Sequence, residues 1–181
     1  MFIACKKEVV NVPGVQLSTS VARGPLSLNT MPDNAMLRLR LVKDSINYDE
    51  TDLIFDHLSS PDYDSSEDAR YLGGFGQTSL SSISLDGISL SINYMPYTDS
   101  LLIPLDVHTR QNGTFYLEIS GEYKIPGDKQ VWLKDTYQKD SVCLYTQPYR
   151  FIVDHADTSS YGTGRFKIFF KNIPTPTQAP K

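Results

Sequence analysis

The sequence predicts an all-β domain, a two-sheet antiparallel β-sandwich that is jelly-roll-like. Three observations lead there. Apolar and polar residues alternate in short runs, the period of a half-buried strand and not of a helix. About ten such runs are separated by clusters rich in Gly, Pro, Asn and Asp, which punctuate strands. No segment keeps a helical period long enough to compete. Many short strands with turn signals between them have to pack as two layers around one core.

Val15, Leu17, Thr19 and Val21 alternate and read as a first strand. The clearest run is 35–42. Ala35, Leu37, Leu39 and Leu41 fall on one face, and Met36, Arg38, Arg40 and Val42 on the other. Leu53–Phe55 is a shorter strand after an acidic loop. Residues 61–70 lack apolar periodicity and read as a loop with one helical turn capped by Asp64 or Ser65. Asp86-Gly87 between the alternating runs Ser79–Leu85 and Ile88–Asn93 predicts a hairpin, because both turn positions tolerate positive φ. After it Ile88, Leu90 and Ile92 are expected inward, with Ser89 and Ser91 outward.

Leu101, Ile103, Leu105 and Val107 form the next inward row. Pro104 on its other face cannot donate to a ladder, so this strand is expected at an edge or at a bulge. Later inward rows are Phe115, Leu117 and Ile119; Val131 and Leu133; Val142 and Leu144; Tyr149, Phe151 and Val153; and Phe166, Ile168 and Phe170. Leu39, Leu117, Phe151 and Ile168 are expected to be buried on facing sheets. The domain organisation read from this pattern is a tether at 1–14, a sandwich at 15–172 and a Pro-rich, disordered tail at 173–181.

At 181 residues the chain is the size of one domain and can bury about two-thirds of its unfolded surface without a metal or disulfide staple. The net charge of −4, with basic residues scattered among acids, offers no surface for tracking phosphates. Nucleic acid is therefore not an expected partner. No run approaches the ~20 apolar residues of a membrane-spanning helix.

Several short blocks follow one another along the chain: Asp68-Ala69, Asp86-Gly87 with Leu90, Ile92 and Asn93, and Ile103-Pro104-Leu105. Then come Gly113 with Phe115 and Leu117, Val131-Leu133-Asp135, Tyr149-Phe151 and Arg165-Phe166. In this order they resemble a β-sandwich module of secreted and cell-surface proteins of the Bacteroidetes, over roughly residues 62–171. Cys143 stands where that family often has an aspartate. The module often precedes a C-terminal sorting domain and has a structural or adhesive role. The resemblance therefore implies a non-enzymatic part of a surface or periplasm-facing protein, at the cell envelope, associated with the outer membrane or extracellular. Its expected partner is a protein or a glycan at the cell surface.

Phe2-Ile3-Ala4-Cys5-Lys6-Lys7-Glu8 is similar to the end of a bacterial lipoprotein signal. That likeness implies a native start upstream, cleavage before Cys5 and lipid attached to that cysteine. Membrane contact is expected only through this anchor. The competing reading is an ordinary frayed terminus with a free thiol at Cys5; a disulfide between Cys5 and Cys143, the chain's two cysteines, is the less favoured alternative.

Other candidate sites are weaker. Trp132 turns outward if Val131 and Leu133 face the core, and with Tyr123 and Tyr137 it is the candidate for stacking on a sugar ring or anchoring a protein. Asp62, Asp64, Glu67 and Asp68 are a calcium candidate, but the loop lacks the glycine and closing glutamate of an EF-hand. Turn and cap duty is the expectation there. His57, His108 and His155 each follow an aspartate (Asp56, Asp106 and Asp154) by one or two residues. Such a pair can orient a general base, but neither a nucleophile motif nor metal-ligand spacing accompanies it. No catalytic residue, metal or cofactor is expected.

Overall fold

A computed structural model describes residues 31–73 and 76–173. The strand expected at Val15–Val21, the tether, Cys5 and the tail from Pro174 lie outside the described residues. Among the described residues there are eleven strands and one short 3₁₀ turn, Thr158–Ser160. The strands are β1 (Ala35–Val42), β2 (Tyr48–Phe55), β3 (Ala69–Arg70), β4 (Thr78–Ile83), β5 (Ser89–Met95) and β6 (Ile103–Thr109). They continue with β7 (Gly113–Tyr123), β8 (Lys129–Asp135), β9 (Asp140–Cys143), β10 (Tyr149–Val153) and β11 (Phe166–Asn172). The all-β expectation is borne out.

The strands form one hydrogen-bonded path, β10-β7-β1-β2-β5-β4-β6-β11-β8-β9, with β3 on the other side of β5. The path folds back on itself, so its two arms face each other. Phe55 of β2 meets Phe170 of β11 edge-on at 5.3 Å, and Phe151 of β10 meets Phe166 of β11 at 4.7 Å. Neither pair belongs to neighbouring strands, so these rings touch across the core. Leu39, Leu117, Phe151 and Ile168 are all buried, the first three on one arm and Ile168 on the other.

β1 shows the expected alternation, with Ala35, Leu37, Leu39 and Leu41 fully buried. β2 begins earlier than expected. Its acidic first half is strand because Glu50 and Asp52 each have an arginine opposite on β1. Asp52 accepts two hydrogen bonds from Arg38, at 2.6 and 2.7 Å, and Glu50 accepts one from Arg40 at 2.7 Å. The register places Arg38 opposite Asp52 and Arg40 opposite Glu50.

The hairpin forms at Asp86-Gly87, with Gly87 at φ +86°. Two details differ from the sequence reading. Leu85 is an exposed turn residue, outside β4. In β5 the burial changes phase: Leu90, Asn93 and Met95 are buried and Ile92 is only half-buried. The cause is a change of partner. β5 pairs antiparallel with β4 at Ser89 and Leu90, then parallel with β2 from Ile92 to Met95. At this fork Thr51, Ser82 and Asn93 are buried together. Asn93 Nδ2 donates to Ser82 Oγ at 3.2 Å, and Thr51 Oγ1 donates to the Leu90 carbonyl at 3.1 Å. These side chains satisfy polar groups where the ladder divides, which an apolar residue could not do.

Candidate functional site

An apolar concavity begins at Pro104. β4 and β6 pair from Thr78 opposite Thr109 to Ser82 opposite Leu105. The next step would set Ile83 against Pro104, which has no N–H to give. The ladder stops there, and Ile83 pairs instead with Ser89 of β5. Pro104 therefore sits in an interior strand but has a neighbour, Lys167 of β11, on one side only. Its position is locally an edge, which is how a proline fits inside a sheet.

Where the strands part, a cleft of about 420 Å³ opens, lined by Ile83, Met95, Leu101, Ile103 and Pro104 among others. Its size lies in the range of ligand sites. Leu85, 76% exposed, and Leu102, 48% exposed, also line it and form its lips. Both lips are held. The Leu85 N–H donates to the Pro61 carbonyl at 2.9 Å, and the Leu101 N–H to the Thr98 carbonyl at 3.1 Å. Buried Asn93 adds a polar group to the lining. The arrangement can accept an apolar side chain, and it leaves two large leucines in water until it does.

The stacking candidates lie in different places. Trp132 is on the outward face of β8 and lines a groove of about 690 Å³ together with Tyr116, Val142, Cys143, Pro148 and Arg150. Its indole N–H donates to Gln130 Oε1 at 3.1 Å. Lys171 Nζ lies 3.5 Å from its ring centroid, and Phe169 packs beside it at 6.2 Å. One face of the indole is thus already engaged by an ammonium. Tyr137 lines a separate cavity of about 500 Å³, with the Arg165 guanidinium 4.9 Å from its ring. A hydrogen bond to Asp157 raises its hydroxyl pKa. Tyr123 ends β7 opposite Met36, with Lys124 over its ring at 5.2 Å. The three rings do not form one platform.

In the acidic loop, Asp64 caps the turn. Its Oδ1 accepts from the Ser66 hydroxyl at 2.7 Å and from the Ser66 N–H at 2.8 Å, which hold its pKa below the usual value, and its carbonyl accepts from the Asp68 N–H at 2.8 Å. Asp68 accepts from the Tyr94 N–H at 2.8 Å and so occupies a donor on the β5 edge. Asp62 and Glu67 are exposed. Among the described residues the side chains that come together with metal-ligand spacing are Asp33, Asp56 and His57. Asp33 accepts from His57 Nδ1 at 2.7 Å, which raises the imidazole pKa and lowers that of Asp33.

His108 Nε2 lies 2.9 Å from Asp106, a carboxyl raised by burial and lowered in part by that histidine. His155 faces Thr109 Oγ1 at 3.4 Å, not Asp154, whose Oδ1 accepts from Asn112 and from the Ala156 N–H. Of the three expected His–Asp pairs, His108–Asp106 forms closely, His57 turns to Asp33 with Asp56 at 3.9 Å, and His155–Asp154 does not form.

One feature carries weight that sequence reading did not assign to it. Arg165 and Asp135 form a buried ion pair, described below. Cys143, buried at the end of β9, is disulfide-bonded.

Comparison with protein-family models, with curated proteins and with solved structures finds no match to this chain.

Proposed function

We propose that this chain is a non-enzymatic β-sandwich interaction module of the cell surface or periplasm-facing envelope, and that it grips an apolar segment of a partner protein in the cleft between β4 and β6. The observation that carries this reading is the pair of lips. Leu85 and Leu102 are exposed at 76% and 48%, and both line the same apolar hollow. Clustered exposed leucines beside an apolar concavity mark an interaction surface. The resemblance to surface modules supports the location. Asn93, Ile103 and Pro104, which belong to the blocks that carry that resemblance, all line the cleft.

Selection from a displayed library of extended peptides tests the reading. Peptides with one or two large apolar residues are expected to be enriched. Their binding should fall at least tenfold for Leu85→Asp or Leu102→Asp, with melting temperature unchanged. Enrichment of peptides that bind both variants as well as the wild type contradicts it.

Carbohydrate binding at Trp132 is the second reading, favoured by the groove in which that ring lies. A glycan array in which Trp132→Ala abolishes a signal would establish it.

A further inference from the structure

We infer that the β4–β6 cleft selects an aromatic side chain carrying one hydrogen-bond donor, a tryptophan or a tyrosine of the partner, and that Asn93 is the residue that reads the donor. This rests on the proposed function and names what the gripped segment has to contain.

Three polar side chains line the cleft: Ser84, Asn93 and Thr98. The Ser84 hydroxyl is committed, since it donates to Asp86 Oδ1 and accepts from the Ile88 N–H at 3.0 Å. Thr98 is exposed and keeps its water. Asn93 differs from both. It is 1% exposed and shares a buried face of β5 with Met95. Its Nδ2 donates to Ser82 Oγ at 3.2 Å. The serine fixes that orientation of the amide, because its own proton goes to the Leu90 carbonyl at 3.4 Å. Among the described residues no donor reaches Asn93 Oδ1. That oxygen is the acceptor Asn93 offers to the cleft.

An occupant that fills the hollow excludes solvent from this oxygen. A wholly apolar side chain would leave a buried acceptor unpaired, which costs more than a made hydrogen bond returns. A charged donor would have to shed its hydration among Ile83, Met95 and Ile103. An indole or a phenol avoids both penalties, with an apolar body and a single N–H or O–H at its tip. Met95, buried in the lining, adds a thioether, which packs well against ring edges. Tryptophan and tyrosine are also the side chains enriched among the strong anchors of protein interfaces.

The test leaves the protein unchanged and varies a peptide. On one scaffold of alternating Thr and Val, the central residue is tryptophan, tyrosine, phenylalanine, leucine or 3-benzothienylalanine, in which sulfur replaces the indole N–H. At least one donor-bearing ring is expected to bind about tenfold more tightly than its donor-free counterpart, tryptophan against benzothienylalanine or tyrosine against phenylalanine. Leu102→Asp should weaken every peptide that binds. Asn93→Leu should erase the preference for a donor. That variant also breaks the bond to Ser82, so the peptide pairs measured on wild-type protein decide. Donor-free peptides that bind as tightly as both counterparts, yet are weakened by Leu102→Asp, overturn the inference and leave the cleft as a binding site. Binding that ignores Leu102→Asp, or no binding by any of these peptides, removes the proposed function and this inference with it.

Discussion

Arg165 and Asp135 stand 30 residues apart in the chain and form a forked ion pair whose side chains are only 1% and 2% exposed. Arg165 Nη2 donates to Asp135 Oδ2 at 2.9 Å, and its Nε lies 3.1–3.2 Å from both carboxylate oxygens. Nη1 donates to the carbonyls of Ile152, at 2.9 Å, and Ser160. The rings of Tyr137, Phe151 and Phe166 lie 4.7–4.9 Å from the guanidinium carbon. Asp135 accepts further hydrogen bonds from the N–H groups of Tyr137 and Gln138 and from the Tyr149 hydroxyl. One pair thus ties the end of β8 to β10, to the 3₁₀ turn and to the start of β11.

Removing one partner should be costly, because it strands the other charge in the core. Asp135→Asn or Arg165→Met is expected to lose ~3–5 kcal/mol in urea denaturation. Replacing both with apolar residues should lose less than the sum of the two single changes. A loss under about 1 kcal/mol for either single change would show that the pair is hydrated.

Core packing makes a second prediction. Phe151→Ala should cost ~3–5 kcal/mol, since the ring meets Phe115, Tyr149 and Phe166. Leu85→Asp, on the lip of the cleft, should stay within ~0.5 kcal/mol of wild type. Equal losses would mean that Leu85 belongs to the core.

Alkaline pH should destabilise the domain. Burial and the hydrogen bond to Asp135 push the Tyr149 hydroxyl up to about 12, and burial also raises Tyr97 and Tyr145. An acid raised in the folded state contributes stability that is intact below its unfolded pKa, roughly 10 for tyrosine. That contribution is lost as pH climbs from there through the folded value. Melting temperature should therefore fall between about pH 10 and 12, alongside a delayed phenolate absorbance. Tyrosines that all titrate near 10 in the folded protein would contradict this.

Calcium should leave stability unchanged. Occupancy at 100 times the dissociation constant would add ~2.7 kcal/mol. A rise in melting temperature at millimolar calcium, abolished by Asp64→Asn, would make the 61–70 loop a metal site.

How much of this was legible in the sequence depended on whether a feature is local. β1 could be read residue by residue, because period-two burial is a property of one strand. The acidic half of β2 could not, because Glu50 and Asp52 become strand residues only when Arg40 and Arg38 lie opposite them. Pro104 signalled an interrupted ladder, but the interruption is a cleft inside the sheet, since β4 leaves β6 for β5 at that residue. Trp132 was placed on the outward face, yet the Lys171 ammonium over its ring comes from another strand. Asp135 and Arg165 were both visible at strand ends, and no spacing rule joins residues so far apart.

The central claim is that the β4–β6 cleft binds an apolar segment of a partner protein. Backbone amide chemical-shift mapping with a selected apolar peptide tests it most directly. The account predicts shifts that saturate together and concentrate at Ile83–Leu85 and Leu101–Ile103, with Leu102→Asp removing them. Shifts centred on Trp132, Val142 and Cys143, or shifts unchanged by Leu102→Asp, would contradict it.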